Sequence, residues 1–196
     1  MADAVMTLRE RQRERTRSDI LDAVVEVVAS DQVDGPLIEL ISTRAGVSRA
    51  TIYAHFPGGV DELVESAYVR AAHDFIELVR TYPSGSWEER ILAHGLAMLE
   101  LADRGPVGRF YNVAAAQFGA IVRVQGAGSR RSHDDFVLAL AEAKRAGELV
   151  DIDSEEAAYL LAGMVRVVGV RATESRERGR SSLAAFRRLV EGIRPD

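Results

Sequence analysis

Apolar residues recur three and four positions apart along most of the chain, which is the spacing of one face of an α-helix. One stripe joins Ile20, Val24, Val27 and Val28, and a longer one runs through residues 60–79. The sequence has no runs that alternate apolar and polar residues between turn signals, as strands do. The pattern therefore predicts an all-α protein.

Glycine, proline and polar clusters divide this pattern into about nine or ten helices. They are predicted at roughly residues 16–31, 37–44, 48–54, 59–81, 86–103, 106–124, 132–146, 154–177 and 181–193. The helices before about residue 57 are short and joined by tight turns, whereas the later ones are long and amphipathic. We therefore expect an N-terminal head of three helices, residues 1–57, and a larger helical body, residues 58–196.

The segment 38–56 has the spacing of a helix-turn-helix. Gly46 stands where a left-handed residue would end the first helix, and glycine adopts that conformation without a clash from a β-carbon. Ser42, four residues earlier, is small enough for a second helix to cross closely. Ile52, six residues after the glycine, is apolar and expected to point inward. Two short helices packed at a steep angle require this kind of spacing.

The second of these helices presents a polar face if Ile52 points inward. Ser48 is a natural N-cap. The outward face and its flanks carry Arg49, Ala50, Thr51, Tyr53 and Ala54, with His55 near the end. Arginine can bond to guanine, alanine or threonine can contact a thymine methyl, and tyrosine and serine can reach phosphates. A solvated turn with half-buried Tyr53 and His55 is the alternative, but the whole pattern favours a nucleic-acid partner.

Composition narrows the possible chemistry. The chain has 196 residues and a formal net charge of −5, so contact with nucleic acid must come from locally arranged charge. It has no cysteine, which excludes disulfides, thiolate zinc sites and a cysteine nucleophile. The sequence has no apolar stretch of signal-peptide type at its start and none of membrane-spanning length. We therefore expect a cytoplasmic protein without a membrane partner.

Signatures of enzymes are missing from the sequence. No nucleophile stands with a base at motif spacing, and there is no glycine-rich phosphate loop or paired-carboxylate motif. The four histidines are scattered, without an HxxxH or HxxE pair that would indicate a metal site. The sequence therefore predicts no enzymatic activity, no metal and no cofactor.

The segment Arg9 to Arg17, RERQRERTR, has the most biased composition in the chain, with five arginines and two glutamates. One interpretation is a basic arm that reaches a phosphate backbone. The other is a solvated, frayed start of the first helix. Both interpretations remain open on the residues alone.

Residues 17–68 resemble the DNA-binding region of TetR-family transcriptional regulators, in the pieces RSDILDAVVEVV, LIELISTRAGVSRATIYAHF and PGGVDELVESAY. Residues 143–165, AKRAGELVDIDSEEAAYLLAGMV, are similar to the family's segment between one dimer helix and the last long helix. The resemblance implies a homodimer that binds a palindromic operator in double-stranded DNA. It also implies a body that binds a small-molecule effector. Repression relieved by the effector is the expected function, and a constitutive or architectural DNA-binding protein without an effector is the alternative.

The resemblance places the DNA contacts in the head and at the start of the next helix. Together with the basic arm, the expected contact residues are Arg13, Arg15, Arg17, Arg44, Ser48, Arg49, Ala50, Thr51, Tyr53, His55, Gly58 and Gly59. The sequence departs from the family pattern in three ways. Leu37-Ile38 replaces a hydroxyl pair, Glu39 replaces an arginine that reads bases in some members, and Gly58-Gly59 replaces a phosphate-binding lysine. Bare N–H groups of the two glycines are expected to hold a phosphate instead.

The body is expected to contain a mainly apolar effector pocket and the dimer interface. Candidate pocket residues are Trp87, His94, Met98, Phe110, Tyr111, Asn112, Gln117 and Phe118. Candidate interface residues are Phe136, Leu140, Ala143, Ala158, Leu161, Ala162, Val165, Val168 and Gly169. Four helices, two from each copy, would meet there. For both sets, ordinary packing inside one chain is the alternative.

Overall fold

The fold is an assembly of amphipathic helices that pack against one another. A computed structural model of the chain describes residues 7–30 and 35–195, with the backbone alone for residues 119–129. Within these residues there are nine α-helices, one short 3-10 helix and no strand. The predicted all-α class is confirmed. None of the helices described is both long and apolar enough to cross a membrane.

The first three helices are those predicted for the head, and the others are those predicted for the body. The helices of the head are α1 (Leu8–Ala29), α2 (Leu37–Ala45) and α3 (Arg49–His55). Those of the body are α4 (Gly59–Val79), α5 (Trp87–Ala102), α6 (Pro106–Asn112), the 3-10 helix (Ala114–Gln117), α7 (Gly119–Ala146), α8 (Ser154–Glu174) and α9 (Arg176–Glu191). Helix α1 packs against α2, α4 and α6, so apolar contacts continue from the head into the body.

Helix α1 begins about two turns earlier than predicted. Thr7 and Glu10 form a capping box, in which the Glu10 N–H donates to Thr7 Oγ1 (3.2 Å) and the Thr7 N–H donates to Glu10 Oε2 (2.7 Å). The hydrogen bond from the Thr7 backbone lowers the pKa of the Glu10 carboxyl. The arginine-rich segment is therefore the solvated first part of a helix and not an extended arm.

The middle of the body divides differently from the prediction. The predicted helix 106–124 ends at Asn112, and the predicted interruption at residues 125–131 lies inside α7. Glycine in a helix interior costs about 1 kcal/mol relative to alanine but does not forbid the helix. Helix α7 packs against α4, α5 and α8, and this tertiary packing outweighs the local propensity.

The last two helices are separated at Ser175 and not at Gly179 as predicted. Ser175 is the N-cap of α9, and its hydroxyl accepts a hydrogen bond from the Arg178 N–H (3.2 Å). Gly179 lies within α9, where a β-carbon would be 2.6 Å from the β-carbon of Ala172. This glycine therefore allows α9 to pack closely on α8.

Candidate functional site

The turn between α2 and α3 has the geometry of a helix-turn-helix. Gly46 is left-handed, with φ 66° and ψ 28°. The Ser42 hydroxyl donates to the carbonyl oxygen of Val47 (2.6 Å), which fastens the end of α2 to the residue after the turn. Ile41 and Ile52 are fully buried between the helices. The predicted small–Gly–apolar spacing therefore produces the expected close crossing.

Helix α3 presents a polar face to solvent. Ser48 caps it by accepting a hydrogen bond from the Thr51 N–H (3.1 Å). Arg49, Ala50 and Ala54 are exposed, and Tyr53 retains 50% of its accessible surface, whereas the neighbouring Ile52 retains none. One side of this seven-residue helix packs on the rest of the head. The opposite side, predicted above to contact nucleic acid, stays exposed to solvent.

Two arginines at predicted contact positions are ion-paired inside the head. Arg49 Nη1 lies 2.8 Å from Glu39 Oε1 on α2. Arg44 is paired through its Nε with Glu26 on α1. Both pairs are solvent-exposed, and such pairs contribute about 0–1 kcal/mol, so a phosphate or base can displace the carboxylate. The pairing of Glu39 with Arg49 is a contact that the sequence analysis did not foresee.

Arg17 holds a different position from Arg13 and Arg15, which are exposed on α1. The Arg17 guanidinium donates from Nη1 to the His55 carbonyl oxygen (3.0 Å) and lies 4.1 Å from the centre of the Phe56 ring. It is partly buried. Arg17 therefore joins α1 to the carboxyl end of α3 and stabilises the position of that helix.

The N–H groups of Gly58 and Gly59, at the start of α4, already have partners in the chain. The Gly58 N–H donates to Glu62 Oε2 (2.7 Å), and the Gly59 N–H donates to the Phe56 carbonyl oxygen (3.1 Å). The prediction of two bare N–H groups is therefore wrong. The Glu62 carboxylate occupies the place where a phosphate was expected, because a helix N-terminus attracts whichever negative group is nearest.

The body contains a small cavity between α4, α5, α6, α7 and α8. Its volume is about 20 Å³. The lining residues are Tyr68, Phe75, Met98, Tyr111, Asn112, Ser132, Ala162, Val165 and Arg166. Three predicted pocket residues, Met98, Tyr111 and Asn112, are among them.

The other predicted pocket residues lie elsewhere. Trp87, His94 and Phe110 are buried outside this lining, Phe118 is half-buried and Gln117 is exposed. The structure therefore does not bring these five residues to the cavity, because neighbouring helices contact the buried rings and solvent surrounds the Gln117 amide.

The cavity is more polar than predicted. Five of its nine lining residues carry a polar group, including Tyr68, Ser132 and Arg166, which the sequence analysis missed. Arg166 did leave a signal in the sequence. It is the one charged residue in the stretch AAYLLAGMVRVVGV of α8. The wall of this cavity is therefore mixed and not mainly apolar.

His94 packs beside the cavity among aromatic rings. Its Nδ1 lies 3.0 Å from the Arg90 carbonyl oxygen, and its ring meets Phe75 and Phe136 edge to face. Its Nε2 is 3.5 Å from Asp135 Oδ2, a long contact. No cluster of three metal-binding side chains occurs in the part of the chain that is described.

Loss of the Asp135 charge is expected to lower stability near neutral pH and to have less effect in acid. Interaction with the His94 ring lowers the pKa of Asp135, although partial burial opposes this shift. The stabilisation is therefore present above the ordinary carboxyl pKa of 3.8 and is lost as the pH falls through the folded-state pKa. Asp135→Asn should unfold at lower urea concentration than the original chain near neutral pH, and the difference should shrink below about pH 3. Asp134→Asn, at an exposed neighbour, is the control; equal effects of both variants would contradict the role of the His94 contact.

The residues predicted for the dimer interface are mostly buried inside the protomer. Those without appreciable exposure are Phe136, Leu140, Ala143, Ala158, Leu161, Val165, Val168 and Gly169. They face the core because α7 and α8 pack on α4 and α5. A β-carbon on Gly169 would lie 2.1 Å from Asn112 Oδ1 of the same chain. These residues therefore pack inside one protomer, which is the alternative given for them above, and Ala162 is half-buried in the cavity wall.

A different side of the same two helices is apolar and exposed. Leu138 of α7 and Tyr159, Leu160 and Val167 of α8 are 55–72% exposed, and we call them the α7–α8 face. Gly163 lies between them on α8, with no atom within 4 Å of the position its β-carbon would take. Large apolar side chains grouped on one surface indicate a binding surface rather than chance exposure.

Comparison with known proteins agrees with this architecture, although no family profile matches the chain. Over 83 residues, 41% of this chain and 38% of the other, the sequence is 34% identical to the HTH-type transcriptional regulator SrpR of Pseudomonas putida. A TetR-family transcriptional regulator from Cytophaga hutchinsonii superposes with a TM-score of 0.71 at 17% identity, covering 94% of this chain and 98% of that one. A TetR transcriptional regulator from Chloroflexus aurantiacus gives 0.73 at 16% identity, covering 95% and 100%. The predicted resemblance is confirmed: this chain has the fold of the TetR-family transcriptional regulators.

Proposed function

We propose that this chain is a DNA-binding transcriptional regulator, not an enzyme, and that it acts as a homodimer. The observation that carries the proposal is the face of α3, where Arg49, Ala50 and Tyr53 are exposed beside the buried Ile52. The printed names of the similar proteins, which are transcriptional regulators, support it. In this proposal residues 1–57 contact DNA, and residues 58–196 bind the effector and the second copy.

Helix α3 enters the major groove in this proposal. Arg49 bonds to a guanine edge, and the small Ala50 and Ala54 allow close approach to the bases. Tyr53, Ser48 and Thr51 contact phosphates or base edges. The remaining contacts to the backbone come from Arg44, His55 and the exposed Arg13 and Arg15, whereas Arg17 positions α3 from behind.

Removal of the Glu39 charge is expected to strengthen DNA binding. Glu39 holds Arg49 at 2.8 Å and also places a negative charge near the phosphates. Glu39→Gln should raise the affinity for duplex DNA by about threefold, because Arg49 no longer leaves an ion pair and repulsion is reduced. Fluorescence anisotropy at several salt concentrations measures the effect. Glu142→Gln, which removes an exposed, paired carboxylate in the body, is the control. A fall in affinity would show instead that Glu39 holds Arg49 in its binding position.

The second copy docks on the α7–α8 face in this proposal. Tyr159, Leu160 and Val167 are unsuited to solvent, and the open position at Gly163 allows another helix to approach closely. A two-fold axis through this face brings two heads to the same side of the dimer. The two α3 helices must then lie about 34 Å apart to enter successive major grooves, which makes the operator a palindrome.

Regulation by a small molecule is part of the proposal. Tyr68 and Phe75 of α4 line the cavity, and the same helix begins directly after the head. A ligand that enlarges the cavity displaces α4 and favours a spacing of the heads that does not fit DNA, so that a repressor leaves its operator. The alternative is a constitutive or architectural protein, which would bind DNA equally at every ligand concentration. Titration of the DNA complex with candidate ligands distinguishes this alternative from a ligand-controlled repressor.

Selection of duplexes from a random library tests the proposed function. The purified chain should enrich a palindromic sequence, and the double variant Tyr53→Ala with Arg49→Ala should not. Both side chains are exposed, so the variant is expected to melt at the temperature of the original chain. Leu189→Ala, on the surface of α9, is a control that should select the same palindrome. Failure to enrich any sequence at low salt would contradict the proposal.

A further inference from the structure

Arg166 is the unusual member of the cavity wall. It projects from α8 beside the aromatic side chains of Tyr68 and Tyr111, whose rings stack at 4.9 Å. The residue is partly buried. Its guanidinium makes no hydrogen bond and no ion pair with any residue that the structure describes. A cation thus borders the cavity without a counter-ion among the described residues of its own chain.

Partial burial takes away part of the hydration of a cation, which is a cost that an ion pair within the chain would offset. The other arginines of α8 and its neighbourhood avoid this cost. Arg171 pairs with Glu174 at 2.6 Å, and Arg90 pairs with Glu142. Asp135, the acid one turn from Ser132 on α7, interacts with His94. An unpaired guanidinium at this position therefore indicates a negatively charged partner from outside the chain.

The neighbouring polar groups suit the same partner. Burial raises the pKa of the Tyr111 phenol, interaction with the Tyr68 hydroxyl raises it further, and the positive charge of Arg166 opposes the shift. The phenol therefore remains a hydrogen-bond donor at neutral pH. Ser132, which is 4% exposed, adds a second hydroxyl to the lining. Arginine with hydroxyl donors is a combination that binds a carboxylate through charge-assisted hydrogen bonds.

We infer that this cavity binds the carboxylate of a small organic acid, with Arg166 as its counter-ion and the hydroxyls of Tyr111 and Ser132 as further donors. Phe75 and Met98 on the apolar side of the lining contact the rest of the acid. This inference rests on the proposed function, because it assigns a chemical class to the effector of the regulator.

The size of the cavity adds a condition on the ligand. A volume of about 20 Å³ holds about one water molecule. An organic acid therefore enters only if the surrounding helices separate. Because α4 and α8 both contribute to the wall, separation moves α4 relative to the rest of the body. Small acids with a short apolar part require the least separation and should bind best.

Calorimetric titration of the DNA-free protein tests the inference. The ligands are hexanoate and benzoate, each with its neutral amide, and inorganic phosphate. At least one carboxylate should bind about tenfold or more tightly than its amide and than phosphate, because the amide has no charge to pair with the guanidinium and inorganic phosphate has no apolar part to contact Phe75 and Met98. Arg166→Gln should lose this preference. Arg171→Gln, on the same helix, is the matched control and should retain it.

Several outcomes would overturn the inference. They are equal binding of acid and amide, tighter binding of phosphate, no binding of either carboxylate, or unchanged acid binding by a folded Arg166→Gln variant. Melting of the unliganded variant confirms that it is folded. Operator selection is measured separately, so the two proposals can fail independently. Enrichment of a palindrome without acid binding contradicts the carboxylate site alone, and acid binding without operator enrichment contradicts the proposed function.

Discussion

Leu160→Asp is expected to give a folded monomer that binds operator DNA about 100-fold or more weakly than the original chain. The side chain is 63% exposed in the single chain, so a charge there does not disturb the core. In the proposed dimer it belongs to the α7–α8 face, where an aspartate is desolvated without a partner. A monomer has one α3 helix, and it loses the gain in affinity that two linked sites provide. Sedimentation and anisotropy measure the two effects.

Leu189→Asp is the matched control for this prediction. Leu189 is also an exposed leucine, at 53%, but lies on α9 outside the α7–α8 face. Its variant should remain dimeric and bind DNA like the original chain. If Leu160→Asp stays dimeric, or if both variants dissociate equally, another surface holds the two copies together.

Gly108→Ala is expected to lower the free energy of unfolding by about 2 kcal/mol, because overpacking a rigid contact costs more than alanine gains as a helix former. A β-carbon on Gly108 would lie 2.4 Å from the Leu101 carbonyl oxygen and 2.6 Å from that of Ala102. These are backbone atoms, so rotation of a side chain cannot relieve the clash. The same residue's carbonyl oxygen accepts the hydrogen bond from Asn112 Nδ2 (3.0 Å), which fixes one wall of the cavity. Urea denaturation measures the loss.

Gly163→Ala is the control for the Gly108→Ala variant. A β-carbon there meets no atom within 4 Å of the described chain. Both changes are best made in the Leu160→Asp chain, so that contacts between subunits do not contribute. Gly163→Ala should then stabilise the protein, by up to about 1 kcal/mol, because alanine favours the helix. If Gly108→Ala were also stabilising, the close crossing of α6 with the end of α5 would not be maintained in solution.

Part of the candidate site could be predicted from local sequence. Gly46, Ser48 and Ile52 act through neighbours within a few residues, and they occupy the predicted turn, cap and buried position. The partners of charged side chains could not be predicted in this way. The Glu39–Arg49 pair and the contact of Arg17 with His55 depend on how separate helices cross.

The sequence by itself determined the helical class, most helix boundaries and the helix-turn-helix, because periodicity, caps and glycine conformations act over one or two turns. Tertiary structure alone decided which side of α7 and α8 is buried. Both helices have apolar residues on more than one side, and packing on α4 and α5 buries Leu161 while leaving Leu160 exposed. It also decided that Arg166 borders a cavity with Tyr111. Such contacts join residues far apart in the chain, and no local periodicity specifies them.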